Sequence, residues 1–228
     1  MTRTLALLTL NEIDGVRVLV PRLSTDVADE ILAVDGGSTD GTREFLEACG
    51  IRVVVQERPG RGEAFRVAVK MSSGDHLVFF SPDGNEDPHD IPPLFQALER
   101  GVDMIIASRF LPGARNEEDS AILPVRKWAN QVFTFMANVL WNCGPYVTDT
   151  INGFRGISRA AFMKLAPQSM GYAIEYEITI HAMKQRMRIV EIPTIEGDRI
   201  GGKTKAPSFR TGLVFLSLFI GEVHWKNG

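Results

Sequence analysis

Four polar groups each stand at the end of a short apolar run: Asn11 after Leu5 to Thr9, Asp35 after Glu30 to Val34, Asp83 after His76 to Phe80, and Arg109 after Val102 to Ala107. The third is the centre of the chain's chemistry. The stretch Phe79-Phe80-Ser81-Pro82-Asp83-Gly84-Asn85-Glu86-Asp87-Pro88 leaves a strand-forming run and breaks into turn-formers at Pro82, Gly84 and Asn85. The Asp83 carboxylate and the Asn85 amide oxygen offer half a site for a hard divalent cation, Mg²⁺ or Mn²⁺, which takes oxygen ligands and completes its shell with substrate phosphates. The same residues also suit a polar surface turn leading to a helix capped at Asp90, since short acidic matches are common.

Asp35 is followed by Gly36, Gly37 and, four residues later, Gly41. A carboxylate among glycines suits a nucleoside whose base or ribose it reads while backbone amides lie close. Neither Gly-x-Gly-x-x-Gly nor a P-loop occurs, which argues against a dinucleotide enzyme or an ATPase. Gly60-Arg61-Gly62 near a helix start could bring N–H groups to an anion, although a lone Gly-x-Gly is more often a turn. The histidines at 76, 89, 181 and 224 have no metal-like spacing and read as structural, and Arg155 reads as the partner of a neighbouring carboxylate.

Elements that could position these groups alternate. Strands are expected at Leu5 to Thr9, Glu30 to Val34, Ile51 to Gln56, His76 to Phe80 and Val102 to Ala107, with helices after Glu12, up to about Ala48, over Gly62 to Met71 and over Asp90 to Glu99. This alternation argues for a mostly parallel sheet covered on both faces, whose strand ends would gather Asn11, Asp35, Asp83 and Arg109 at one rim. Pro21 should limit the first helix. Farther on come a Gly, Pro and acid-rich loop (Leu111 to Leu123), a helix (Val125 to Trp141), a turn and strand (Tyr146 to Ser158), a helix (Ala173 to Gln185), a strand (Arg188 to Pro193) and a polar loop (Glu196 to Pro207).

The 228 residues, 44% of them hydrophobic, can supply a real core. The formal charge of −3 divides unevenly: residues 1–150 hold 14 basic and 22 acidic side chains (−8), residues 151–228 hold 11 and 6 (+5). A basic last third suits either an anionic partner or a solvated face, and without interleaved aromatics it does not argue for nucleic acid. Cys49 and Cys143 are too few for a disulfide framework and lack metal-ligand spacing; they read as reduced core fillers in a cytosolic setting. No signal peptide is expected, and the run Gly212 to Gly221 is well short of the roughly 18 residues of a spanning helix.

The runs Thr9-Leu10-Asn11-Glu12, Val34-Asp35-Gly36-Gly37-Ser38-Thr39-Asp40-Gly41-Thr42, Arg58-Pro59-Gly60-Arg61-Gly62, Gly74-Asp75, Pro82-Asp83-Gly84-Asn85 with Asp87-Pro88, and Ala107-Ser108-Arg109 together resemble the inverting family 2 glycosyltransferases of GT-A fold. Later pieces resemble the branch with dolichyl-phosphate mannose synthase and bacterial polyprenyl-phosphate glycosyltransferases: Asp149 with Asn152-Gly153-Phe154-Arg155, Glu175 and Glu177, Glu191-Ile192-Pro193, and Arg199 to Lys205. The resemblance implies one α/β domain over residues 1–228, a Rossmann-like, mostly parallel sheet with helices on both faces and a C-terminal helical extension. Residues 1–110 would be the nucleotide-sugar half and 111–228 the acceptor half. It further implies that Thr9, Asn11, Glu12, Asp35, Gly37, Gly62 and Asp83 hold the donor and that Asp83 and Asn85 hold Mg²⁺ or Mn²⁺. Arg109 would take phosphates of donor or acceptor, Arg126 an acceptor phosphate, and Arg199 with Lys203 would lie on a loop closing over the donor. Two departures stand out: the usual Asp-x-Asp begins here with Ser81, and the second of two adjacent carboxylates is here Gly36.

The expected reaction is a single displacement at the anomeric carbon, with metal and cations neutralising the leaving diphosphate. A polyprenyl phosphate acceptor is already anionic and needs no base. A saccharide hydroxyl, as in cell-envelope polysaccharide synthesis, needs one, and Asp149 is the first candidate with Glu175 second; a turn-forming role and a solvated helix face are the plain alternatives. A non-catalytic nucleotide-sugar-binding subunit would account for Ser81, while a nucleotidyltransferase lacks its expected Gly-rich Arg/Lys loop after the first strand. The apolar helix expected over Phe209 to Trp225 leaves three packings open: on the domain, on a sister chain as a homodimer, or at a membrane surface, which would make a cytoplasmic protein peripheral on the inner face of the cell membrane.

Overall fold

The computed structural model describes residues 1–24, 26–119, 121, 123–201 and 208–224, with backbone alone for 208–210. Lys203 of the expected donor loop, with Lys205, Trp225 and Lys226, lies outside the described residues. The first part runs β1 (Arg3–Thr9), α1 (Ile13–Leu19), β2 (Glu30–Asp35), α2 (Thr42–Ala48), β3 (Arg52–Val55), α3 (Arg61–Met71), β4 (His76–Phe80), α4 (Ile91–Glu99) and β5 (Met104–Ser108). Then follow α5 (Val125–Trp141), β6 (Arg155–Ser158), α6 (Arg159–Leu165), α7 (Ile174–Lys184), β7 (Ile189–Pro193) and α8 (Ser208–His224). Pro21 falls in a 3₁₀ turn, Val20–Arg22, that ends α1.

These strands form a seven-stranded sheet in the order β3-β2-β1-β4-β6-β5-β7, parallel except for β6, which runs antiparallel to both β4 and β5. Both faces are covered, so the central strands are buried almost throughout and their apolar residues alternate between two cores. Ala6, Leu8, Leu77 and Phe79 pack under α3, α6, α7 and α8. Leu5, Leu7, Val78 and Phe80 pack under α1, α2 and α4.

Strand direction decides where the polar groups go. Thr9 lies opposite Asp35 and Leu7 opposite Phe80, so β1, β2 and β4 finish at one edge, and the chain changes direction of travel across the sheet between β1 and β4. This is the topological switch point at which open α/β sheets bind ligands. Because β6 is antiparallel, Arg155 pairs with Phe79 and the preceding residues 149–154 arrive at the same rim. β7 pairs in parallel with β5, Pro193 opposite Ser108, and so delivers residues 194–201 there too.

Four local expectations need correction. The sequence reading has no helix at α6, which Ser158 starts by accepting the Ala161 N–H at 3.1 Å. The acid-rich loop that opens at Leu111, which its sequence marks as mobile, is tied down at Arg115, whose N–H donates to Thr194 O and whose carbonyl accepts from Glu196 N, each at 3.0 Å. The solvated helix face offered as the plain alternative for Glu175 does not exist, because α7 is buried continuously from Ile174 to Met183. Both cysteines are exposed, not core fillers.

Candidate active site

The loops after β1 and β2 hold each other in place. Asn11 adopts a left-handed φ of 49°, a conformation asparagine tolerates. Its amide donates to Ser38 Oγ at 2.8 Å and its Oδ1 accepts from Thr39 N at 2.8 Å, while Glu12 N donates to Thr42 Oγ1 at 3.0 Å. Asp35 is fully buried: Oδ1 accepts the N–H groups of Gly37 (2.9 Å) and Ser38 (2.7 Å), and Oδ2 accepts the hydroxyls of Thr9 and Ser38. The carboxylate expected to read a nucleoside thus builds the turn instead, and Gly36 is the residue of this loop that faces the cleft. Gly62 departs in the same way: its N–H donates to Met170 O at 2.8 Å and is not presented to an anion.

That cleft, about 290 Å³, opens between Thr9, Glu12, Gly36, Arg61, Asp83 and Arg199. On its floor, the turn after β4 is held by Asp83 Oδ1, which accepts from Asn85 N at 3.1 Å. Asp83 Oδ2 accepts from Arg199 Nη1 at 2.7 Å, and Arg199 Nη2 donates to Glu12 Oε1 at 2.5 Å. Ser81, at the departed acidic position, gives its N–H to Glu86 at 2.6 Å, and its hydroxyl lies 3.3 Å from Arg61 Nη1. Burial, then the Asp83 charge, pushes the Glu86 carboxyl up to about 8.

Arg61 is the residue whose importance sequence reasoning missed. It pairs through Nε with the buried Glu175 of α7, 114 positions away, and no local pattern announces such a partner. Gly153 is what lets it pass: a Cβ there would lie 2.0 Å from Arg61 Nη2 and 2.9 Å from Glu175 Oε1. Glu175 keeps its other oxygen, Oε2, buried and without a partner among the described residues.

Asp149, the first base candidate, is fully buried and gripped side-on by Arg109, Nε to Oδ2 at 2.8 Å and Nη2 to Oδ1 at 3.1 Å. Burial alone would raise this carboxyl, but the Arg109 charge and hydrogen bonds hold it below the usual carboxylate range. It is already saturated as an acceptor. Arg126 is paired with Glu117 and, at 2.8 Å, with Glu118. Arg155 does not pair with a carboxylate as expected: fully buried, its guanidinium holds the carbonyls of Thr150 (3.4 Å), Asn152 (2.7 Å) and Glu175 (2.9 Å). Burial brings its pKa down to about 10.

A second cavity continues from Arg61, Arg109 and Arg126, with the carboxylates of Glu117, Glu118 and Glu175 among them, to Phe133 of α5 and Phe215 of α8, so one end is charged and the other apolar. Beyond it the two helices turn apolar stripes outward: Trp128, Val132, Phe135 and Val139 on α5, and Leu213, Leu216, Ile220 and Val223 on α8. Among the described residues no helix is long and apolar enough to cross a membrane.

Two sets of oxygens could face a cation. Asp83 with Asn85 fits one: the donors are hard, and Asn85 Oδ1 is buried with no partner among the described residues. The other set, Glu177, His181 and Glu222, lies within 4.8 Å but is already satisfied. Glu177 accepts from Gln168 N and Ser169 N, and Glu222 accepts from Lys184 at 2.6 Å and meets His181 Nε2 at 2.9 Å, which ties α8 to α7.

Residues 8–166 match the model of glycosyl transferase family 2. Glycosyltransferase AglJ of Haloferax volcanii is 30% identical over 92% of this chain and 69% of its own length. The undecaprenyl-phosphate mannosyltransferase of Micrococcus luteus is 27% identical, covering 86% of this chain and 84% of that protein. Among solved structures, the glucosyl-3-phosphoglycerate synthase of Mycobacterium tuberculosis with Mn²⁺, UDP-glucose and phosphoglyceric acid superposes with a TM-score of 0.76 at 23% identity, over 100% of this chain and 81% of that one. That likeness shows the GT-A fold.

Proposed function

The chain belongs to glycosyl transferase family 2, and we propose that it moves a sugar from a nucleotide diphosphate sugar to a polyprenyl phosphate, with inversion and with a divalent cation, Mg²⁺ or Mn²⁺, held by Asp83 and Asn85. One observation carries the acceptor: beyond the donor cleft, Arg61, Arg109, Arg126 and Lys127 line one end of the cavity against the carboxylates of Glu117, Glu118 and Glu175, while Phe133 and Phe215 make the other end apolar. That arrangement suits an amphiphile whose anionic head exchanges with those carboxylates on the arginines. A relative's name, undecaprenyl-phosphate mannosyltransferase, supports the same class.

In this reading the donor's nucleotide lies in the cleft along Thr9, Glu12 and Gly36, and the turn built by Asn11 and Asp35 shapes that wall. The cation, when bound, would neutralise charge developing on the leaving diphosphate. Arg109, fixed by Asp149, and Arg126 hold the acceptor phosphate in line with the anomeric carbon. Its oxygen is already ionised, so no base is required. The lipid tail would then run from this cavity between α5 and α8, whose apolar stripes would rest on the inner face of the cell membrane of a cytoplasmic protein.

A second reading, transfer to a saccharide hydroxyl, is favoured by Glu175, a cavity-lining carboxylate whose Oε2 has no partner among the described residues. Labelled nucleotide sugars incubated with polyprenyl phosphate or with oligosaccharides separate the two. Counts in the organic phase are expected; counts confined to a polar product, abolished by Glu175→Gln, would establish the second reading instead.

A further inference from the structure

We propose that Arg199 is the resident counter-cation of the metal loop, so that a divalent ion takes Asp83 Oδ2 by displacing the Arg199 side chain. The inference rests on the reading of Asp83 as a metal ligand. Three observations carry it. First, one guanidinium bridges the carboxylates of Asp83 (2.7 Å) and Glu12 (2.5 Å), and each of the three side chains is largely shielded from solvent. A divalent ion on Asp83 Oδ2 would have to enter where a cation already donates, against its charge.

Second, the segment carrying Arg199 is fastened to the metal loop by its backbone. Ile200 N donates to Asp83 O at 2.7 Å and Gly197 N to Asn85 O at 2.9 Å. Gly84, at φ +102°, makes the close approach possible, since a Cβ there would lie 2.7 Å from Asp198 O and Ile200 N. The exchange is therefore a rotation of one side chain over a fixed backbone, not the opening of a loop. Third, Arg199 Nε is buried with no partner among the described residues, leaving the guanidinium one donor short in this position. An anionic diphosphate in the adjoining cleft would supply the missing acceptor, so cation and diphosphate should favour each other's binding through Arg199.

The test measures Mn²⁺ alone, without nucleotide, by the electron paramagnetic resonance signal of the free ion, in the parent and in Arg199→Gln, Arg199→Lys and Asp83→Asn, each checked for folding by circular dichroism. Removing the resident charge is expected to tighten Mn²⁺ binding in Arg199→Gln by about tenfold. Arg199→Lys, which keeps the charge, should stay near the parent, and Asp83→Asn should lose the site. Binding in Arg199→Gln equal to or weaker than the parent's, with Asp83→Asn still abolishing it, overturns the counter-cation and leaves the metal site standing. Unchanged binding in Asp83→Asn overturns both.

Discussion

Arg109 and Asp149 meet as a two-bonded pair, 2.8 and 3.1 Å, with the carboxylate fully buried and a third contact from Arg109 to Glu196 at 3.6 Å. The pair turns the best base candidate into the mount of a cation. Asp149→Asn should therefore loosen Arg109 without removing a proton acceptor. We expect kcat/KM to fall by about tenfold or less, against the ~10² to 10⁴ of a lost base, with the shape of the pH–rate profile unchanged. A steady-state profile of both proteins decides it.

Gly62 and Gly153 have different neighbours, and so their alanine variants should fail differently. A Cβ at Gly62 meets backbone, Ser169 O at 1.9 Å, whereas one at Gly153 meets the Arg61 side chain. Gly62→Ala should cost about 1 to 3 kcal/mol of stability in a denaturant titration. Gly153→Ala should fold nearly as the parent does but displace the Arg61–Glu175 pair and lower turnover by an order of magnitude or more.

These contrasts mark what the sequence could and could not reveal. β1, β2, β4, β5 and α5 were legible because their periods are strong, and Asn11, Asp35, Asp83 and Arg109 were legible as strand-end groups. What each carboxylate is bonded to was not legible. Glu175 lies 114 positions from Arg61 and Arg199 lies 187 from Glu12, and such pairs are fixed by β6 inserting antiparallel between β4 and β5 and by β7 joining the far edge. The short α6 lacks the length that makes a helical period stand out, and continuous burial of α7 leaves no polar face to read.

Arg155 is expected to matter through the fold of the site's rear wall. Its guanidinium is the hydrogen-bond partner of three carbonyls at the joint between the 149–154 loop and α7. Arg155→Met would leave Asn152 O without its donor, at about 1 to 3 kcal/mol before any relaxation, and would leave Thr150 O and Glu175 O to share the Thr179 hydroxyl, while also removing a large buried side chain from this joint. A loss on the order of 3 kcal/mol or more in urea unfolding is expected, with Arg155→Lys in between; a change below about 1 kcal/mol would contradict this account.

The His181–Glu222–Lys184 cluster predicts a pH window for α8 docking. Burial would lower His181, but its bonds to Glu222 and to Leu165 O raise it above 6.5 overall; its contribution is full below 6.5 and lost as pH climbs through the folded-state value. For Glu222, burial would raise the carboxyl, yet His181 and Lys184 hold it below 4.5; its contribution is full above 4.5 and lost as pH falls through the folded-state value. Both are complete between pH 4.5 and 6.5, where the parent's Tm advantage over Glu222→Gln should be largest. Thermal melts of the two proteins from pH 4 to 9 test this, and a difference independent of pH would refute it.

The outward stripes of α5 and α8 give the last prediction. Val139 is 65% exposed and Ile220 49%, so glutamate at either position disturbs no internal packing, and a surface change of this kind typically shifts stability by about 0.5 kcal/mol or less. At a bilayer surface each apolar side chain contributes up to roughly 1.5 to 3 kcal/mol when buried, while a carboxylate is repelled by anionic headgroups. The double variant Val139→Glu, Ile220→Glu should therefore lose about a hundredfold or more in vesicle association while its melting temperature stays near the parent's. Flotation with vesicles of phosphatidylglycerol and phosphatidylethanolamine measures the first, and size-exclusion chromatography separates the rival occupant of the same face, a second copy of the chain. A parent that fails to float but elutes as a dimer, and a double variant that elutes as a monomer, would assign these stripes to self-association and remove the membrane from the acceptor's route.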